Sequence, residues 1–202
     1  MKRAFSDERF AIFMVTALCA ASLAGCATDG GPRILSQYNS MVGVRGMRPY
    51  PHMGVDIDAA KGDPVIAAAD GTVVGLLSGD AMCGNGVILR HELDKTPLGW
   101  TRYCHMDETG VQEGQKIERG DVLGKVGTTG NSLGIPHLHL ELCPDRPCRG
   151  FMRDTADPLP LVVGCFDPGA GVPSVAKDSA GKPRLVLTYP VRCSVRKKAA
   201  PV

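Results

Sequence analysis

The chain has 202 residues, of which 44% are hydrophobic and only 5% aromatic. Its 25 glycines and 15 prolines follow no fixed period, which excludes a collagen-like fibre and is typical of a β-rich globular domain with many turns. The formal net charge of +2 argues against a nucleic-acid binder whose affinity rests on phosphate contacts.

The first 25 residues have the pattern of a secretory signal. Basic residues at positions 2, 3 and 9 precede the apolar run AIFMVTALCAASLA. This run is too short to span a bilayer as a helix of the mature protein, so we interpret residues 1–25 as a signal peptide that is removed on export.

The signal ends in LAGC at residues 23–26, a sequence that resembles the bacterial lipobox. The resemblance implies cleavage before Cys26 and lipidation of that cysteine, whose acyl chains would anchor the protein to a membrane. Ala27 rather than aspartate follows, which resembles sorting to the outer membrane of Gram-negative bacteria. We therefore expect a lipoprotein at the periplasmic face of that membrane. The alternative is an ordinary signal with a chance cysteine at its end.

The rest of the chain divides into three segments. Residues 26–45 show no strong period and are interpreted as a lipid-anchored tether. Residues 46–161 alternate short apolar segments with glycine-containing turns, and no stretch sustains helical spacing, so we predict an all-β domain. Residues 162–202 are predicted to add a C-terminal β-hairpin extension. Its basic tail is interpreted as a solvated terminus, with a wall- or lipid-facing patch as the alternative.

Six cysteines remain after the signal and the lipidated position, and export favours their oxidation to disulfides. Sequence alone does not decide among the possible pairings. The short PDRP turn favours Cys143 with Cys148, and Cys165 and Cys193 bracket the extension. Cys83 then remains for Cys104.

The segment HLHLEL at residues 137–142 alternates polar and apolar side chains. In a strand, His137, His139 and Glu141 therefore share one face, and the leucines share the face toward the core. Glu141 is interpreted as solvent-facing, the alternative being that it orients a metal ligand. His91, elsewhere in the chain, is interpreted as structural.

A second segment, HMGVDID at residues 52–58, places His52 and Asp56 on one face by the same alternation. Two histidines and one carboxylate, with the fourth position left to water, form the ligand set of a catalytic zinc. A third segment, YCHM at residues 103–106, places His105 at the end of a predicted strand. If His105 faces the site, the alternation turns Cys104 to the opposite face.

The order H-x-x-x-D, Y-x-H, H-x-H resembles the lysostaphin-type zinc endopeptidases, the LytM-domain family. The flanking sequences GVDIDAAKGDPVIAAADGTVV and GQKIERGDVLGKVGTTGNSLGIPHLHLEL are similar to the two halves of that family's domain, and the resemblance covers about residues 46–161. It implies a compact antiparallel β-sheet or sandwich domain with a substrate groove. It further implies that one Zn²⁺ is held by His52, Asp56 and His139, and that His105 and His137 are the catalytic pair.

The same resemblance implies a zinc endopeptidase that hydrolyses peptide cross-links of peptidoglycan, with stem peptides as substrate. The alternative is a non-catalytic LytM-like lipoprotein that activates another wall hydrolase. All of the implied ligand positions hold the expected residue types, which favours the enzyme.

Overall fold

The computed structural model describes residues 30–148 and 155–193. The signal sequence, Cys26 and the basic residues after position 193 lie outside this part of the chain. Within it there is one 3-10 turn, Leu159–Leu161, and no helix long and apolar enough to cross a membrane. The strands are Ile34–Ser36 (β1), Val42–Gly43 (β2), Gly46–Met47 (β3), Val55–Ile57 (β4), Pro64–Ile66 (β5), Gly71–Asp80 (β6), Gly84–Leu93 (β7), Thr96–Thr109 (β8), Lys116–Ile117 (β9), Val122–Val126 (β10), Leu138–Cys143 (β11), Val175–Lys177 (β12) and Pro183–Leu185 (β13).

A nine-stranded antiparallel sheet forms the body of the molecule, as the all-β prediction requires. Its order is β1-β4-β11-β8-β7-β6-β9, and β10 pairs with both β5 and β8. The longest pair, β7 and β8, is joined at Asp94 and Lys95, which both have positive φ. Positive φ at both central residues of a two-residue hairpin loop matches the right-handed twist of the strands.

The position of β11 between β4 and β8 brings the histidine motifs together. In the register, His139 lies opposite Asp56 on one side and Cys104 on the other. Directly opposed residues have Cβ atoms about 5 Å apart, so pairing alone joins side chains that are distant in sequence. All six residues of β11 are buried, with Leu138 and Leu140 in the core.

The N-terminal segment differs from the predicted tether. Ile34 pairs with Ile57, and Ser36 is buried beside Asp56 at the sheet edge. A second hairpin, β2–β3, follows and borders a groove. The prediction was wrong here because a three-residue strand is too short to show a period, so its sheet pairing is invisible in the sequence.

The C-terminal segment forms the predicted hairpin, β12–β13, but it is not a separate appendage. Leu185, Leu187 and Val191 belong to the main hydrophobic core. The half-buried Arg119 ties this segment to the sheet, donating hydrogen bonds to the carbonyl oxygens of Ala68 and Val186. The body of the fold therefore extends well beyond residue 161.

Three disulfides join the same cysteine pairs that the sequence favours. They are Cys83–Cys104, Cys143–Cys148 and Cys165–Cys193, with Cα–Cα distances of 4.8, 5.5 and 5.9 Å. These distances lie in the range usual for disulfides.

Candidate metal centre

Three side chains from two strand regions converge on one point. His52 Nε2 lies 2.9 Å from His139 Nδ1 and 3.0 Å from Asp56 Oδ1, and His139 Nδ1 lies 2.8 Å from the same oxygen. All three residues are buried. The structure thus brings together the three residues that the sequence names as metal ligands, and they form a group that could hold a metal ion.

The approach of His52 differs from the predicted strand. Only Val55–Ile57 is β-strand, and His52 reaches the site from a bend that contains Met53 and Gly54. A Cβ atom at Gly54 would collide with the carbonyl oxygen of Leu140 and touch the His139 ring. Glycine therefore permits the close approach of this bend to β11.

The hydrogen bonds around the three residues fit a cation. The Gln37 carbonyl can only accept, so His52 Nδ1 donates to it and Nε2 keeps its lone pair. His139 Nε2 similarly faces Glu141 Oε1 at 3.1 Å, which turns Nδ1 inward. Two nitrogen lone pairs and a carboxylate oxygen then face one another within 3.0 Å, which is repulsive unless a proton or a metal ion lies between them.

The distances also suit a metal with N and O ligands. Zinc bonds of about 2.0–2.1 Å correspond to ligand separations of about 3.3 Å in a regular tetrahedron. The three atoms are 2.8–3.0 Å apart, so a movement of a few tenths of an ångström, on the order of normal side-chain freedom, would fit the ion. A second group, Glu141 with Cys143 and Cys148, offers no thiolates because its cysteines form a disulfide.

The electrostatics keep Asp56 ionised. Burial raises the pKa of its carboxyl, but the close contacts with His137, His139 and His52 outweigh this and hold the pKa well below its usual range. Its second oxygen, Oδ2, accepts a hydrogen bond of 2.6 Å from Arg48. The carboxylate is therefore a fixed negative charge, with Oδ1 free to face a cation.

His139 carries the proton when no metal is present. Burial lowers the pKa of its ring, but hydrogen bonds to Asp56 and Glu141 more than offset this and raise the pKa to about 9. A metal must displace this proton, since ligand imidazoles bind in the neutral form.

Glu141 corrects a sequence interpretation. It is buried at 3% exposure rather than solvent-facing, and it contacts both His139 Nε2 and Arg102, 3.5 Å away. The interpretation was wrong because alternation assigns a face but not its burial, and Arg102 of the neighbouring strand β8 packs against Glu141 on this face. The i, i+2 spacing from His139 was the available signal. Such a carboxylate fixes the tautomer and orientation of a ligand histidine.

His105 and His137 lie next to the three converging residues, with ring centroids 4.8 Å apart. His105 Nδ1 donates to the Thr129 carbonyl and His137 Nδ1 to the Ile135 carbonyl, so a backbone contact fixes the orientation of each ring. His137 Nε2 lies 3.5 Å from Asp56 Oδ1. Burial, with the nearby charges of His139 and His137, lowers the pKa of His105 to about 3 and keeps its ring neutral at pH 7.

A β-bulge in β8 sets the direction of the His105 side chain. The pairing of β7 with β8 skips one residue between Asn85↔Met106 and Val87↔Tyr103, and His105 has a φ of 66°. The simple alternation that turned Cys104 away from the site therefore does not hold, and Cys104 and His105 both border the groove. Bulges of this kind commonly redirect side chains beside active sites.

The fifth histidine, His91, lies outside the site. Its Nδ1 donates to the Asp70 carbonyl at 2.6 Å, and its Nε2 is 2.7 Å from the Thr101 hydroxyl. Burial lowers the pKa of this ring to about 4. His91 therefore has the structural environment that the sequence interpretation expected.

A groove of about 430 Å³ opens above the converging histidines. The hairpin segment 43–50 lines it, together with Asp80, Met82, Asn131 and Leu133. The floor is formed by His52, Asp56, His105, His137, His139 and Glu141. A bound metal would therefore lie at the base of this groove.

Comparison with known proteins agrees with this geometry. Residues 50–148 match the model of Peptidase family M23. An uncharacterized metalloprotease of Haemophilus influenzae is 41% identical over 94 residues, and the peptidoglycan DD-endopeptidase ShyA of Vibrio cholerae is 40% identical over 95 residues. These matches cover 46% and 47% of this chain but 19% and 21% of the relatives, so the chain spans about a fifth of their length.

Two solved structures share the fold. The catalytic domain of the prophage-encoded M23 protein EnpA from Enterococcus faecalis is similar with a TM-score of 0.51 and 27% identity, over 65% of this chain and 90% of that one. The catalytic domain of lysostaphin from Staphylococcus simulans gives the same TM-score and identity, over 64% and 90%. The chain therefore carries a peptidase family M23 domain of the LytM or lysostaphin type, as its histidine motifs indicate.

Proposed function

We propose that this protein is a zinc-dependent endopeptidase that hydrolyses peptide cross-links of peptidoglycan. The observation that carries the proposal is the convergence of His52, Asp56 and His139 on one point at the floor of a groove, with two further histidines beside them. ShyA and ShyB of Vibrio cholerae, which are named peptidoglycan DD-endopeptidases, support the choice of substrate.

The zinc would be held by His52 Nε2, Asp56 Oδ1 and His139 Nδ1. When bound, such an ion lowers the pKa of water to about 7 and polarises a carbonyl oxygen. Glu141 keeps the ligand nitrogen of His139 turned inward by accepting from Nε2. Arg48 balances the charge of Asp56.

His105 and His137 supply the acid–base chemistry. Each presents Nε2 on the site side of a ring that a backbone carbonyl fixes through Nδ1. Such a nitrogen can accept a proton from the attacking water and return it to the leaving amine. The protonated ring could also donate to the oxyanion of the tetrahedral intermediate, and the two histidines together cover both tasks.

The charge of the groove suits an anionic peptide. Arg48 pairs with Asp56, and Arg102 lies 3.5 Å from both Glu141 and Asp80. Arg45, at the tip of the hairpin, has no ion pair with any residue that the structure describes. With a divalent cation bound, the lining carries excess positive charge, which attracts peptides with free carboxylates.

The test separates metal binding from chemistry. The protein without its signal is assayed for zinc per chain and for cleavage of cross-linked muropeptides, with mass analysis of the products. We expect chelation to abolish cleavage and zinc to restore it. His139→Ala should lose both zinc and cleavage, whereas His105→Ala should keep most of the zinc and lose cleavage, by roughly 10²-fold or more. A zinc-loaded protein that cuts nothing but stimulates another wall hydrolase would establish the activator alternative.

We further propose that the protein is exported and anchored through lipidated Cys26, on the basis of LAGC at the end of the apolar run. Mass spectrometry of the mature N-terminal peptide tests this. A mature protein that begins elsewhere, or that carries an unmodified Cys26, contradicts it.

A further inference from the structure

The backbone at His105 adopts a conformation that is unfavourable for a residue with a Cβ atom. His105 lies within β8, but its φ of 66° is in the left-handed region that residues with a Cβ rarely occupy. Such a conformation persists only where neighbouring structure holds it. What holds His105 therefore also sets the direction of its imidazole.

The loop before β7 supplies that support. The His105 amide donates to the Cys83 carbonyl at 2.8 Å, and the residue before His105, Cys104, is bonded covalently to Cys83. Cys83 is itself fixed, because its amide donates to Asp80 Oδ1 at 2.7 Å. Cys83 thus restrains His105 twice, once by a hydrogen bond and once through the disulfide.

The segment after β10 forms the other side of the support. Thr129 accepts from His105 Nδ1 through its carbonyl, and its hydroxyl lies 2.7 Å from the Met106 carbonyl oxygen. The Asn85 amide donates to the same hydroxyl at 2.9 Å. The segment therefore contacts both β7 and β8 at the bulge. The position of β7 relative to β8 thus affects both the Cys83 contact and the Thr129 contact that hold His105.

We propose that the Cys83–Cys104 disulfide positions His105 for catalysis, so that hydrolysis depends on the oxidation of this bond while metal binding does not. The inference rests on the proposed function. His139 lies opposite Cys104 in the β8–β11 pairing, but the metal ligands have supports of their own in the β4–β11 pairing and in Gln37, Glu141 and Arg48. The enzyme would then reach full activity only in an oxidising compartment, after export.

The other disulfides provide matched controls. Cys165–Cys193 closes a C-terminal loop with a sequence separation of 28, comparable to the 21 of Cys83–Cys104, and does not border the groove. Its removal reports the general effect of losing a disulfide. Cys143–Cys148 packs against Trp100 on the side of the sheet away from the main core.

The experiment compares Cys83→Ala/Cys104→Ala with Cys165→Ala/Cys193→Ala, both loaded with zinc. We expect the first variant to keep about one zinc per chain and its KM, while its kcat falls roughly 10- to 100-fold, the scale expected for a misplaced catalytic group. The control should keep its kcat even if its Tm falls. An unchanged kcat in the first variant, or a loss of zinc in proportion to activity, overturns the proposal.

Graded reduction of the wild-type protein tests the same point if the variant does not fold. A water-soluble phosphine takes the oxygen of one water, becomes its oxide and leaves two thiols, and it competes for zinc less strongly than a dithiol would. We expect kcat to follow the reduction of Cys83–Cys104, mapped by mass, and to recover on reoxidation. Activity that follows either other disulfide contradicts the inference. A wild-type protein that never cleaves peptidoglycan instead refutes the proposed function itself.

Discussion

In this site, Asp56 and His139 each use one polar atom to face the metal position and the other to contact a neighbouring side chain. Asp56 faces the metal position with Oδ1 and Arg48 with Oδ2, and His139 faces the metal position with Nδ1 and Glu141 with Nε2. Each group that would touch the ion is thereby held by a second contact. Such outer contacts typically contribute 10- to 100-fold in metal affinity or activity.

Glu141→Gln is expected to weaken zinc binding by roughly 10- to 100-fold, because the amide keeps the shape but removes the charge that stabilises the His139 N–H. Cleavage should recover at saturating zinc. Zinc titration against a competing chelator measures the effect. Glu92→Gln is the control, since Glu92 pairs with Arg90 and Lys116 away from the groove. An unchanged zinc affinity in Glu141→Gln would show that the carboxylate does not orient His139.

The lowered pKa of His91 should make the free energy of unfolding depend on pH. Burial lowers its pKa to about 4 from the ordinary value of 6.5, so the unfolded chain binds more protons between these values. The contribution of the neutral His91 ring to the free energy of unfolding is therefore full above pH 6.5. It is lost as the pH falls toward 4, by roughly 3 kcal/mol in total. Denaturant unfolding at several pH values gives the free energy of unfolding as a function of pH. Between pH 4 and 6.5 this free energy should change less steeply with pH in His91→Gln than in the wild type. Equal slopes would contradict the assignment.

At the scale of elements, two irregular stretches set the geometry of the site. The bend at Met53 and Gly54 places His52 three residues before the start of β4, and the bulge in β8 redirects His105. Regular strands would place both histidines by alternation alone. The regular pairing of β4 with β11 fixes Asp56 and His139, and the two irregular stretches bring His52 and His105 to them.

Gly54→Ala is expected to damage the fold and the metal centre together. The added methyl group meets the Leu140 carbonyl and the His139 ring, so β4 must move away from β11. We expect a loss of roughly 1–3 kcal/mol in the free energy of unfolding, with weaker zinc binding. Gly110→Ala is the control, because its nearest neighbour, the Leu123 carbonyl oxygen, is 3.9 Å away. Equal stability and zinc content in the two variants would contradict the close approach.

At the scale of the molecule, the C-terminal segment completes the core. Leu187 is fully buried and forms a parallel bridge with Val162, and Val191 forms a bridge with Val65. Removal of this segment would expose the apolar face of the sheet to solvent. Family resemblance ends near residue 161, but the folding unit does not.

Arg119→Met tests this integration. Arg119 donates to the carbonyls of Ala68, Val186 and Pro173, which the variant would leave without this donor. We expect a loss of roughly 2–4 kcal/mol in the free energy of unfolding, measured with denaturant. Arg184→Met, at an exposed position of β13, should change it by less than about 0.5 kcal/mol. Similar stability of both variants would show that the segment is only loosely attached.

The sequence by itself determined the strand character of the domain and the residue types of the site. Alternation is a local property, so HLHLEL identifies His137 and His139 as residues of one face without knowledge of their neighbours. The resemblance to a known family then joined them to His52, Asp56 and His105. Chain spacing favoured the cysteine pairs that the structure shows, although it did not decide among the possible pairings.

Only the tertiary structure decided what surrounds these residues. The burial of Glu141, the Arg48–Asp56 pair and the pairing of β1 with β4 all depend on segments that meet across long stretches of chain. Residues 30–48 and 162–193 carry too short or too weak a period to show where they pack. The physical reason is that a period reports which face a side chain occupies, whereas burial and partners are set by the register between distant strands.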